Sequence, residues 1–183
     1  MCPLWGEGLG SATVTDADEL LPAAMAGDRV ALAAFVRETQ ADVWRYCAHV
    51  GGGDETADLV QETYARALRA LHRYRGQSSA RTWLLAIARR VCADSIRVAR
   101  RRRLIEALFT RDDVDNDPNE HVALAELVRQ LSHDRRDAFV LTQIIGTPYA
   151  EAARICQVPL GTIRSRVARA RHDLHVRVDQ ATG

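Results

Sequence analysis

Apolar residues recur along this chain at three- and four-residue intervals, the spacing of helices that bury one face. From Asp28 to Val50 the pattern predicts a long helix in which Val43, Trp44, Cys47 and Val50 form an i, i+1, i+4, i+7 stripe, with Trp44 packed between helices. Gly51-Gly52-Gly53 stops it, and Asp54 stands where it can cap a second helix. There Leu59, Val60, Tyr64, Ala67, Leu68 and Leu71 face inward, while Asp58, Gln61, Glu62, Arg66 and Arg69 face out. The segment HRYRGQSS, residues 72–79, breaks the period and reads as a loop whose last serine, Ser79, caps a third helix from Ala80 to about Arg103. Trp83, Leu84, Ile87, Val91 and Val98 share one side of that helix, which makes Trp83 a core residue. A shorter helix, Asp16 to Ala26, precedes these and should be distorted by Pro22; residues 1–15 read as a flexible tail.

The period lapses again from Leu104 to His121, where the acidic run RDDVDNDPNEH cannot bury enough apolar surface to fold alone. This places a linker at 104–121 between a domain of residues 16–103 and one of residues 122–178, with a tail at 179–183. Helices resume from Val122 to Leu131 and, after a Ser132 cap, to about Ile145. Gly146-Thr147 then leads into PYAEAARICQVPLGTIRSRVARARHDL, which divides into a helix from Pro148 to Cys156, the link Gln157-Val158-Pro159, and a helix from Leu160 to Leu174. Each proline opens a helix, where the missing N–H has no partner to lose. The spacing is that of a helix-turn-helix. The fold class is therefore all-α: two small helical domains joined by a flexible acidic linker, the second a four-helix domain with a helix-turn-helix.

Angular position sorts the last helix into faces, at about 100° per residue. Ile163, Val167, Ala170 and Leu174 form the inward stripe; Thr162, Ser165, Ala168, Arg169 and His172 lie opposite; Arg164, Arg166 and Arg171 flank them. A recognition helix enters the major groove N-terminal end first and needs small or hydrogen-bonding side chains near base edges. Thr162, Arg164, Ser165, Arg166, Ala168 and Arg169 are the candidate DNA contacts.

Charge supports this placement only locally. The net charge is +1, yet residues 81–103 hold eight arginines against Asp94, and 164–177 hold five against Asp173. Two basic tracts on a neutral chain are local electrostatic footprints. All 25 basic residues are arginine, which suits bidentate contacts to phosphates and bases and also fits a GC-rich coding genome. Cys2, Cys47, Cys92 and Cys156 are scattered with no C-x-x-C pair or matching histidines, so neither a metal site nor a cofactor is expected. Cys47 and Cys92 read as core thiols with no activating neighbour. No P-loop, nucleophile elbow or HExxH motif points to an enzyme. No stretch reaches the length of a membrane span, and the expected location is the cytoplasm.

Four motifs in order resemble the extracytoplasmic-function class of bacterial sigma factors: Asp58-Leu59-Val60-Gln61-Glu62-Thr63; Tyr74-Arg75-Gly76; Arg81-Thr82-Trp83-Leu84 with Ile87-Ala88-Arg89; and Pro159-Leu160-Gly161-Thr162-Ile163-Arg164-Ser165-Arg166. The resemblance implies that residues 16–103 bind core RNA polymerase and the promoter −10 element, and that residues 122–178 bind the −35 element. It places Asp58, Leu59, Gln61 and Glu62 against the β′ clamp helices, with the β flap as a further contact, and Tyr74, Arg75, Gln77, Ser78, Arg89, Arg90 and Arg97 on −10 DNA. Aromatic and polar loop residues can hold an unstacked base, although a surface aromatic in a helix connection would look the same. An anti-sigma factor encoded elsewhere is a further expected partner. Arg90 stands where the family often has asparagine, which leaves the −10 bases read by this chain open. The alternative is a helix-turn-helix regulator whose first domain senses or dimerises without replacing a sigma factor.

Overall fold

The computed structural model describes residues 16–51, 55–109 and 124–182, and among them all regular structure is helical. Helix α1 (Ala17–Met25) continues as helix through Pro22, and Gly27, at φ +96°, turns the chain into α2 (Arg29–Val50). The Asp28 carboxylate caps α2 by accepting from the Val30 and Ala31 amides at 2.7 and 3.1 Å. Helix α3 (Thr56–Ala70) has Glu55 at its N-cap position with no side-chain capping bond, and the expected cap, Asp54, lies outside the described residues. A 3₁₀ turn, Leu71–Arg73, and a loop lead to α4 (Ala80–Phe109), which runs past its expected end near Arg103. Ser79 does cap α4, its Oγ accepting from the Thr82 amide at 3.1 Å.

The second half comprises α5 (Leu124–Arg129), α6 (His133–Phe139), α7 (Tyr149–Cys156) and α8 (Leu160–Thr182). Ser132 occupies the α6 N-cap position but makes no capping bond; instead Arg136 donates to the Leu131 carbonyl at 3.0 Å and to the Arg129 carbonyl. α6 passes into a π-helical stretch, Val140–Ile144, which Gly146 ends at φ +78°.

Three apolar positions expected inside are outside. Trp44 is 47% exposed because the core face of α2 is Phe35, Thr39, Val43, Tyr46, Cys47 and Val50, from which the Trp44 ring points away. Leu68 is 47% exposed for the same reason: α3 buries Leu59, Val60, Thr63 and Ala67. Val98 is 68% exposed because the buried residues of α4 stop at Cys92 and the helix projects beyond the bundle. Trp83 is half-buried at the edge of the core rather than within it.

The buried residues of both halves form one continuous core, from Leu21, Val43 and Tyr46 through Leu84, Leu85 and Ala88 to Val128, Leu141, Ile155 and Ile163. α4 packs on α7, and α2 packs on α5, α6 and the π-helical stretch. The two domains thus share a face.

Candidate nucleic-acid interface

The helix-turn-helix is built as its prolines and periodicity require. Gln157 ends α7 in the left-handed conformation, φ +57°, and the Val158 amide returns to the Ala153 carbonyl at 3.1 Å. Ile163, Val167, Ala170 and Leu174 are all buried, which fixes the rotation of α8 and turns Ser165, Ala168 and Arg169 to solvent with Arg164 beside them. The arginines on this helix differ in what holds them. Arg166 is half-buried and paired with Asp134 of α6 at 2.5 Å, and Arg171 donates to the Gln143 side chain at 2.5 Å. Arg164 and Arg169 are exposed and, among the described residues, hold no ion pair. Thr162 is half-buried, and its carbonyl accepts from the Ser165 hydroxyl at 3.0 Å.

In the other half, the loop before α4 is ordered by its own tyrosine. The Tyr74 hydroxyl donates to the Ser78 carbonyl at 2.6 Å, and its ring lies 5.3 Å from that of Trp83 at 59°, so the two aromatics form a tilted pair at the base of the loop. Gly76, at φ +67°, allows the tight reversal that leaves Arg75 and Gln77 exposed. Burial, and next the charge of Asp18, raise the Tyr74 phenol above its ordinary value. Asp18 itself accepts from the Ala80 amide, tying α1 to the start of α4.

On α3, Asp58 and Gln61 are exposed, and Glu62 is held by Arg66 at 2.7 Å and Arg69 at 3.5 Å. The Arg66 hydrogen bond keeps the Glu62 carboxyl below its usual range. Arg66 also grips Asp94 of α4 at 2.7 Å, and Asp94 pairs in turn with Arg97. Leu59, expected among the surface contacts, is 6% exposed and packs beside Gly51; its place is under the helix, where it supports the face without being part of it.

Arg89 has the most constrained position of the candidate set. Its Nε donates to Asp137 of α6 at 2.7 Å, and the other Asp137 oxygen accepts from the Tyr46 hydroxyl at 2.8 Å. Asp137 is fully buried, with His133 at 3.6 Å from the same carboxylate. Burial and then the Asp137 charge push the Tyr46 phenol well up. For Arg89, burial works against the guanidinium and the adjacent carboxylate outweighs it, so the group sits above its ordinary value. Nearby, Arg81 bridges Asp42 at 2.6 Å and the Ile145 carbonyl at 3.1 Å, and the Thr82 hydroxyl donates to Glu151 of α7 at 2.5 Å. Arg90, by contrast, is exposed and unpaired among the described residues.

The family description Sigma-70 region 2 matches residues 35–102, and Sigma-70, region 4 matches residues 121–174. The chain is 43% identical over 173 residues to the ECF RNA polymerase sigma factor SigC of Mycobacterium tuberculosis, covering 90% of this chain and 94% of that protein. It belongs to the extracytoplasmic-function sigma factors. The RNA polymerase sigma-H factor of Pseudomonas aeruginosa is 31% identical over 140 residues, 67% of this chain and 72% of that one. Among solved structures, CnrH in complex with the cytosolic domain of CnrY superposes with a TM-score of 0.71 at 26% identity, covering 90% of this chain and 99% of CnrH. RpoE in complex with the anti-sigma factor NepR from Bartonella quintana gives 0.61 at 25%, covering 87% and 92%.

As a sigma factor of this class, the chain is an alternative initiation factor for transcription with region 2 and region 4 as its two domains. Arg89 then belongs to region 2 and its partner Asp137 to region 4. Sequence reasoning missed Asp137, Tyr46 and Glu151 altogether, and it named Arg81 as part of a motif without its contacts to Asp42 and Ile145. Asp137 lies 48 residues from Arg89 and 91 from Tyr46, and in its local run, Arg135-Arg136-Asp137, it reads as one more solvated helix charge. No helix of the described residues is long and apolar enough to cross a membrane, and no group of three or more His, Cys, Asp or Glu among them is placed to hold a metal ion.

Proposed function

We propose that region 2 docks on the β′ clamp helices of core RNA polymerase through Asp58, Gln61 and Glu62, with the β flap receiving region 4. The outward face of α8 then reads the −35 element, while Tyr74, Arg75, Gln77 and Ser78 with Arg90 and Arg97 engage −10 DNA and favour strand opening. The observation that carries this reading is the rotation of α8: its apolar stripe is fully buried, so Arg164, Ser165, Ala168 and Arg169 are presented together at the end that enters a groove. The protein acts by binding, in the cytoplasm where polymerase and promoter are, and leaves bond formation to the polymerase. The solved relatives bound to CnrY and NepR support an anti-sigma factor as a further partner.

The packed arrangement has a consequence for this cycle. Arg89, Arg81 and Thr82 of region 2 are engaged by region 4, so full promoter contact requires the two domains to separate at the Asp137 carboxylate. Purified chain added to core polymerase should give promoter-specific transcripts, and reversing Asp58 and Glu62 to arginine should abolish core binding with helical content intact. Binding of promoter DNA without any transcript would instead identify a helix-turn-helix regulator.

A further inference from the structure

Two cysteines that are 45 residues apart in sequence meet in the core of region 2. Cys47, one turn before the end of α2, and Cys92, on the facing side of α4, are both fully buried, and their sulfurs lie 3.9 Å apart with the Cys92 thiol donating to Cys47. Both are free thiols in the structure. That separation is van der Waals contact between sulfurs, which a disulfide would shorten to about 2.05 Å.

The end of α2 lies against the pair. Gly51 closes α2, and a Cβ built on it would stand 3.5 Å from the Cys92 sulfur, 2.2 Å from Leu59 Cδ1 and 2.8 Å from the Cys47 carbonyl. The backbone of half-exposed Gly51 thus borders the thiol pair together with the Leu59 side chain, and a helix terminus is the part of a helix that opens at lowest cost, which is the route a small neutral oxidant would take.

The two sulfurs are also unequal. The hydrogen bond from Cys92 holds the Cys47 thiol below its ordinary value, whereas donating that bond and burial push Cys92 up. Cys47 is therefore the nucleophile of the pair and Cys92 the resolving thiol. Cys156, in region 4, is buried, and burial pushes it up to about 11.

We propose that Cys47 and Cys92 form an oxidative modification site: a dithiol that hydrogen peroxide closes to a disulfide, clasping α2 to α4 inside region 2. The Cys47 thiolate attacks one peroxide oxygen, the O–O bond breaks, and the leaving hydroxide takes a proton to become water, leaving Cys47 as a sulfenic acid. The Cys92 sulfur then attacks the Cys47 sulfur, the S–S bond forms, and the sulfenic oxygen leaves as a second water with the Cys92 proton. Two thiols lose two electrons in all, and one peroxide is reduced to two waters. The bridge closes a long loop and so restrains the unfolded chain, which raises the stability of region 2 without altering its surface.

The experiment uses the full chain carrying Cys2→Ser, treated with hydrogen peroxide and then digested without reductant. The expected result is a peptide pair joined through Cys47 and Cys92, two fewer titratable thiols per unfolded chain, and an upward shift of the thermal midpoint that dithiothreitol reverses. With Cys92→Ala the bridge should be lost and dimedone should capture Cys47 as a sulfenic acid; circular dichroism identifies whether that variant is folded. With Cys156→Ala the bridge should form unchanged. Recovery of both thiols after peroxide, or oxidation of Cys47 to a sulfinic acid while an unmodified Cys92 stands beside it, would overturn the assignment.

Discussion

The basic surfaces of α4 and α8 look alike in sequence, each an amphipathic helix carrying arginine off its apolar stripe, yet the structure treats them differently. On α8 the arginines separate by partner: Arg166 is spent on Asp134, Arg171 on Gln143, and Arg164 and Arg169 are exposed with no ion pair among the described residues. On α4, Arg89 is consumed by the other domain. The difference teaches that the outward arginines of region 4 are left open to solvent while part of region 2 is covered by its own partner domain. A buried carboxylate is the fastening, and such a group is costly to leave half-paired.

The largest expected effect breaks this asymmetry outright. Asp137→Ala leaves Arg89 and Tyr46 without their shared acceptor, and loss of one member of a buried charged pair costs about 3–5 kcal/mol. Arg89 keeps 22% of its side chain exposed, so the lower end of that range applies. A fall in the denaturant midpoint together with a larger radius of gyration in solution scattering is the expected result, and an unchanged midpoint would show that the carboxylate does not hold the domains together.

On α8 the comparison can be sharpened one arginine at a time. Arg164→Ala and Arg169→Ala should each weaken promoter binding with thermal stability unchanged. A base contact shows as about 1–3 kcal/mol of lost discrimination, and a phosphate contact as a uniform loss with the salt slope reduced by about one. Arg166→Ala should do the reverse, lowering region 4 stability by about 0.2–1 kcal/mol through the lost Asp134 pair. Arg171→Ala should matter least for DNA, since its guanidinium is already turned to Gln143. If Arg171→Ala damaged promoter binding most, α8 would sit differently in the groove from the rotation its buried stripe dictates.

The smallest effect is a pH dependence of the domain contact. His49 of α2 has its pKa held below the ordinary 6.5, first by burial and then by Arg129 of α5 across the domain boundary. A histidine depressed in the folded state binds fewer protons there than when unfolded, so stability rises with pH through this window. The contribution is complete above about 6.5 and is lost as pH falls below it toward the folded value. His49→Gln should flatten that part of the stability profile; a profile identical to wild type would remove His49 from the account.

How much of this was legible beforehand follows the range of the physics. Ile163, Val167, Ala170 and Leu174 share one face because residues at helical spacing always do, so the rotation of α8 and the two-helix motif could be read from the sequence. The Asp28 and Ser79 caps, and the breaks at Gly51 and Gly146, are likewise local chemistry. Trp44, Leu68 and Val98 were misplaced because an apolar residue next to a buried stripe is buried only if another helix arrives on that side.

The sequence alone determined the helices, the Asp28 and Ser79 caps, the helix-turn-helix and the motifs that mark the family, because each depends on neighbours within a few residues. Only the tertiary structure decided that Arg89 and Tyr46 share Asp137, that Arg66 reaches from α3 to Asp94 of α4, and that Cys47 faces Cys92. Those pairings depend on which helices pack together and at what rotation. The burial that strengthens them is a property of the assembled core, and a single helix read along its own axis carries no record of it.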